Sequence, residues 1–160
     1  MTNEPIIECV PNFSEGIDSA KVAEIIRAMQ VDGVRLLDYS LDRDHNRSVV
    51  TIAGTPSGVV EASVRAAGRA AELVDLTGQA GVHPRIGAAD VIPFVPIRSV
   101  SLAECAMLAR QAGLLGEGAA QVQRKIGVAV IREATGEADG SGGSVQDVPF
   151  AVRVSPGDRP

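Results

Sequence analysis

Residues 48–74, Ser-Val-Val-Thr-Ile-Ala-Gly-Thr-Pro-Ser-Gly-Val-Val-Glu-Ala-Ser-Val-Arg-Ala-Ala-Gly-Arg-Ala-Ala-Glu-Leu-Val, pass from a strand pattern to a helix pattern across one glycine. Ser48 to Ala53 reads as a strand. Thr55 then supplies an N-cap and Pro56 a first helical position, where a missing N–H costs nothing. Val60, Val64, Ala67, Ala71 and Val74 step four, three, four and three residues along one face, the spacing of a helix that buries a stripe. Glu61 and Arg65 form an i, i+4 pair on the opposite side, which predicts a solvent face there.

Working outward, the same alternation continues. Val34 to Tyr39 reads as a strand, joined to Ser48–Ala53 by the charged link 41–47, Leu-Asp-Arg-Asp-His-Asn-Arg, which is too long for a two-residue hairpin and suits a functional loop. Before it, Val22, Ile25, Ile26 and Met29 recur at helical spacing and Gly33 closes that helix. Ile6 to Val10 is an apolar run ended by Pro11, hence a strand, followed by the loop 12–16. Downstream, Asp90 to Ile97 is apolar but interrupted by Pro93 and Pro96, which cannot donate ladder hydrogen bonds and so predict an edge or irregular strand. Ser101 and Glu104 have the spacing of a capping box for a helix reaching about Gly113. Ile126 to Ile131 is a further strand, 135–144 a Gly/Ser/Asp-rich loop, and Val148 to Val154 a candidate last strand. The order β-α-β-β-α-β-α-β begins with a split βαβ pattern and predicts an α/β (α+β) open sheet with helices on one face.

Composition sets the bounds. A chain of 160 residues, 45% hydrophobic and 22% charged, is long enough for one compact domain with a substantial core. A net charge of −5 and a pI near 5.0 oppose nucleic-acid or acidic-membrane binding, which need a basic face, and 2% aromatic content opposes a base-stacking platform. No apolar run is long enough for a membrane span, and the N-terminus lacks the basic-then-apolar plan of a signal peptide, so a cytoplasmic protein is expected. Cys9 and Cys105 are too few for a zinc motif or a disulfide framework and are expected to be reduced core side chains.

The chemistry is expected in residues 81–96, Gly-Val-His-Pro-Arg-Ile-Gly-Ala-Ala-Asp-Val-Ile-Pro-Phe-Val-Pro. His83, one of two histidines, carries the side chain whose ordinary pKa best suits accepting and returning a proton near neutrality. Pro84 biases His83 towards extended backbone. Arg85 and, in the charged link, Arg47 are candidates for anionic substrate groups, because a guanidinium binds a carboxylate bidentately. Their structural alternative is an ion pair with Asp42, Asp44 or Asp90. Asn46 and Asn12 are candidates at the same site, although Asn12 also suits shaping its own turn. His45 is a candidate substrate contact. No tight ligand spacing supports a metal site from His45 and His83, and the glycines near Gly81 lack the Lys-Ser/Thr of a phosphate loop.

Three stretches, Glu8-Cys9-Val10-Pro11-Asn12-Phe13-Ser14-Glu15-Gly16, Asp44-His45-Asn46-Arg47-Ser48-Val49-Val50-Thr51 and Gly81-Val82-His83-Pro84-Arg85-Ile86-Gly87-Ala88, the last continuing through Asp90 and Pro93 to Pro96, together resemble the N-terminal subdomain of glutamate formiminotransferase (glutamate formimidoyltransferase). The likeness runs from about Ile6 to Gly113. It implies a ferredoxin-like subdomain, covering 1–133, and leaves 134–160 as a divergent Gly/Ser-rich tail. It implies transfer of a formimino group between N-formimino-L-glutamate and tetrahydrofolate in histidine breakdown, with His83 catalytic, tetrahydrofolate as co-substrate, and glutamate, formiminoglutamate and folate as ligands. The family continues past the equivalent of Ile131 into a folate-contacting stretch and a second subdomain. The resemblance therefore implies a partial or split enzyme, completed by a second-subdomain polypeptide or a homo-oligomer. The alternative is a non-catalytic binding or assembly module that retains the subdomain fold.

Overall fold

The computed structural model describes residues 3–77, 87–117, 128–130 and 151–154. Among these residues seven strands and three helices follow one another as β1 (Ile6–Cys9), β2 (Asn12–Phe13), α1 (Ser19–Ala28), β3 (Val34–Asp42), β4 (Arg47–Gly54), α2 (Pro56–Leu73), β5 (Ala89–Arg98), α3 (Leu102–Glu117), β6 (Val128–Val130) and β7 (Ala151–Val154). The helices start where local chemistry starts them. Asp18 caps α1 by accepting from the N–H groups of Ala20 and Lys21, and Thr55 Oγ1 accepts from Gly58 N. Ser101 and Glu104 bond reciprocally at the head of α3, forming the expected capping box.

The strands form one sheet. β1 and β2 occupy a single lane, interrupted at Val10 and Pro11, with β4 on one side and β5 on the other. β3 lies outside β4, and β7 then β6 continue beyond β5, with every pairing antiparallel. The four lanes β3, β4, β1/β2 and β5 have the order of a ferredoxin-like split βαβ arrangement. β1 and β3 are both antiparallel to β4 and so parallel to each other, as the α1 crossover requires.

Burial alternates along β1 and β4, with Ile7, Cys9, Val50 and Ile52 inward. These side chains, with Phe13, Phe94 and Ile92, meet Ile25 and Met29 of α1, the small-residue face of α2, and Cys105, Ala109 and Ala112 of α3 in one core. Helix α2 is central because Ala62, Ala66, Ala67, Ala70 and Ala71 let it approach closely. Burial also raises the Cys9 thiol to about 12, outweighing the Ser63 hydroxyl that donates to its sulfur and pulls the other way, so this cysteine stays protonated, as expected of a core side chain.

Five expectations need correction. Of the two alternatives for β5 the irregular strand holds and the edge does not: β5 is interior, and its prolines are accommodated by irregular pairing, with register shifts at Ile6/Ile7 and Asn12/Phe13, while the Pro93 carbonyl accepts from Val10 N. Residues 12 and 13 form β2, because the lane beside β4 resumes after the Pro11 interruption. The charged link shrinks to a turn at residues 43–46, since β3 continues to Asp42, opposite Arg47. Finally, α1 ends at Ala28 with Met29 as its C-cap, before Gly33, and α3 continues past Gly113 to Glu117.

Candidate active site

Phe13 fixes where the loops converge. It stands opposite Ser48 on one side and Ala89 on the other. β4 and β5 therefore begin at the same end of the sheet, flanking the end of β2. The turn carrying His45 and Asn46 leads into β4, and the 81–86 motif leads into β5. His83 and Arg85 themselves lie outside the described residues.

Polar burial is concentrated at that end. Of the six buried polar or charged side chains among the described residues, Asn12, Ser14, Glu15, Asn46 and Ser48 belong to it, and Ser63 alone does not. Such groups are costly to bury unless bonded, so their partners define the site's architecture. Asn46 adopts a left-handed backbone conformation, φ 46°, which asparagine tolerates better than most residues. Its Oδ1 accepts from Gly16 N at 2.8 Å, tying the 12–16 segment to the β3–β4 turn. Gly16 can make this approach only because it lacks a side chain: a Cβ there would lie 2.4 Å from both Arg47 N and the Asp42 carbonyl oxygen.

Asn12 shapes its own turn, one of the two roles expected of it, and also meets Arg47. Its Nδ2 donates to the Val10 carbonyl at 3.0 Å, shaping the chain around Pro11, and its Oδ1 accepts from the Arg47 guanidinium. Asn12 opposes Val49, so it shares with Arg47 the face of the sheet away from the helices. Arg47 forms no ion pair among the described residues; neither Asp42, Asp44 nor Asp90 neutralises it. Its buried Nε, like the hydroxyl of adjacent Ser48, lacks a hydrogen-bond partner among those residues. The result is a cation oriented by a neutral amide, with donor capacity remaining.

His45 is engaged with its own turn. Its Nδ1 lies 2.6 Å from Asp42 Oδ2, while Asp42 Oδ1 accepts from the backbone N–H groups of Asp44 and His45. Those bonds, led by the His45 N–H and then its ring, hold the Asp42 carboxyl below its ordinary range. Among the described residues no three His, Cys, Asp or Glu side chains gather as a metal site.

Ser14 and Glu15 were not singled out from the sequence, and Asp90 was considered only as an ion-pair partner for the arginines. Ser14 Oγ donates to the Gly87 carbonyl at 2.7 Å and lies 3.2 Å from Asp90 Oδ2, Ser14 N donates to the Ala88 carbonyl, and Asp90 Oδ1 accepts from Gly87 N at 3.0 Å. Glu15 Oε1 accepts from the N–H groups of Ile17 and Asp18, bracing the entry to α1. Their membership in the three motifs was the available signal; their partners, up to 76 residues distant, were not.

Comparison with known proteins adds a second line of support. Residues 6–138 match the family model described as formiminotransferase domain, N-terminal subdomain. The chain is 40% identical over 126 residues to a glutamate formimidoyltransferase of Streptococcus pyogenes serotype M1, covering 78% of this chain and 40% of that protein. It is 47% identical over 109 residues to a protein of the same name from Thermoplasma acidophilum, covering 68% and 36%. A formimidoyltransferase-cyclodeaminase of Gallus gallus is 41% identical over 133 residues, 75% of this chain and 25% of that protein. The chain thus spans 40% or less of the length of these relatives.

Proposed function

The chain belongs to the formiminotransferase family, as its N-terminal subdomain, and from that premise we propose that it contributes the catalytic base and a carboxylate-binding arginine to formimino transfer between N-formimino-L-glutamate and tetrahydrofolate. The observation that carries this reading is the shared sheet end: Asn12, Asn46 and Arg47 stand beside the start of β5, into which the His83 motif runs.

In this reaction an amine nitrogen of the folate attacks the formimino carbon. A C–N bond forms, a tetrahedral intermediate collapses, and the glutamate nitrogen leaves with a proton. His83 takes the proton from the attacking nitrogen and returns it to the departing one, a task suited to an imidazole. Arg47, with Arg85, binds glutamate carboxylates; that Arg47 has no ion pair among the described residues supports that role over an internal ion pair. Asn46 and Asn12 hold the turn and the guanidinium, and His45 stands at the rim, oriented by Asp42. A second-subdomain polypeptide or a further copy of the chain supplies the remaining folate contacts. Among the described residues no helix is long and apolar enough to cross a membrane; the proposed compartment of the reaction is the cytoplasm.

The test is formimino transfer by this chain, alone and mixed with a second-subdomain polypeptide from a family member. Transfer is expected in at least one condition, and His83→Ala should lower it about 100-fold or more with little change in melting temperature. Undiminished turnover in His83→Ala would exclude the proposed base. Binding of formiminoglutamate without turnover in either condition would instead favour a non-catalytic binding module.

A further inference from the structure

The hydrogen bonds that converge on Gly87 have no part in the chemistry described so far. Ser14 Oγ and Asp90 Oδ1 engage the carbonyl and the N–H of the same residue, and Ser14 N holds the next carbonyl, that of Ala88. Ser14 is 1% exposed, and Gly87 and Ala88 are buried. Backbone polar groups can be satisfied by a neighbouring strand alone, so two side chains spent on one glycine fix its position beyond what strand pairing requires. Gly87 is four residues after His83. Ser14 is in turn two residues from Gly16, which Asn46 Oδ1 holds beside Arg47. One continuous set of bonds thus links the backbone downstream of His83 to the arginine turn.

We propose that Ser14 and Asp90 are positioning residues that clamp Gly87, the residue that follows the 81–86 motif, in fixed relation to the arginine turn, and that the action of His83 depends on this anchor. The inference rests on the functional role given to His83 above. It assigns neither residue a contact with substrate. A small displacement of a catalytic group lowers the rate of chemistry while leaving remote substrate contacts intact, so the clamp bears on kcat more than on KM.

The experiment compares Ser14→Ala, Asp90→Ala and Asp90→Asn in the full chain by nuclear magnetic resonance, with turnover measured where the unsubstituted chain transfers formimino groups. Loss of the clamp should accelerate exchange of the Gly87 amide about 10-fold or more and shift the His83 ring resonances together with their titration midpoint. Where turnover is present, kcat should fall about 10-fold or more with KM nearly unchanged. Asp90→Asn keeps an oxygen acceptor for Gly87 N and should recover most of both properties. If Gly87 exchange is unaltered, or if it accelerates while the His83 ring signals and titration stay those of the unsubstituted chain, the proposal is overturned. Should Asp90→Ala fail to fold, Ser14→Ala and Asp90→Asn decide by the same two signals. Absence of turnover in the unsubstituted chain would count against the transferase reading, while the His83 resonances still judge the clamp.

Discussion

At Gly16 the constraint is space, not conformation. Its φ is not in the left-handed region, yet an added Cβ would sit 2.4 Å from Arg47 N and from the Asp42 carbonyl oxygen, both backbone atoms that cannot rotate away. Gly16→Ala must therefore separate the 12–16 segment from the β3–β4 turn, breaking the bond from Gly16 N to Asn46 Oδ1. The expected cost is about 1–3 kcal/mol, the range for inserting a methyl into a packed site, measured as a lowered midpoint in urea, with weakened formiminoglutamate binding alongside. A midpoint equal to that of the parent would show that the two segments are not pressed together. Asn12, Asn46 and Arg47 were singled out from short polar stretches of the sequence, and the structure brings them to one end of the sheet. The Ser14–Gly87–Asp90 clamp was not legible there, since it is made across the sheet between residues far apart in the chain. The competing reading of Arg47 as part of an internal ion pair could be decided only by seeing its neighbours.

Helices were the most legible elements, since caps and periodicity are local. Thr55, Pro56 and the stripe from Val60 to Val74 predict α2 as it is observed, and Ser101 with Glu104 predicts the start of α3. Helix ends were less legible: Gly113 did not stop α3, because a glycine ends a helix only when it takes up a capping conformation. Pairing between strands was least legible. Pro93 and Pro96 suggested an edge or irregular strand for β5; its pairing is irregular, but β7 pairs with it on the side away from β1, so it is no edge, and β2 emerged from what the sequence presented as a loop. Within α2 one residue opposes its context. Gly68 is a helix-interior glycine with nothing within 4 Å of where a Cβ would lie, so it has the entropic cost of glycine without a packing reason for it. Gly68→Ala should stabilise the fold by about 0.5–1 kcal/mol, measured by chemical denaturation, and should leave ligand binding unchanged. A loss of stability there would reveal a contact on the outer face of α2.

At the scale of the molecule, the one-faced layering was legible because the apolar residues of β1, β4 and α2 follow the periods of strand and helix, which fixes which side each buries. The outcome is a core to which β1, β2, α1, β4, α2, β5 and α3 all contribute. A core shared this widely favours unfolding as a unit, so a ligand bound at the sheet end should stabilise the whole rather than one loop. N-formimino-L-glutamate at 100 times its Kd should add about 2.7 kcal/mol of stability. For a domain near this size that corresponds to roughly 5–10 °C in Tm, seen equally by far-ultraviolet circular dichroism and by calorimetry. Arg47→Gln retains a donor towards Asn12 but removes the uncompensated positive charge proposed to bind a glutamate carboxylate. At the same ligand concentration this variant should lose most of the Tm increase, while its Tm without ligand stays near that of the parent. An undiminished shift would assign carboxylate binding elsewhere, and a shift seen by one probe alone would mean that the sheet end and the helical layer unfold separately.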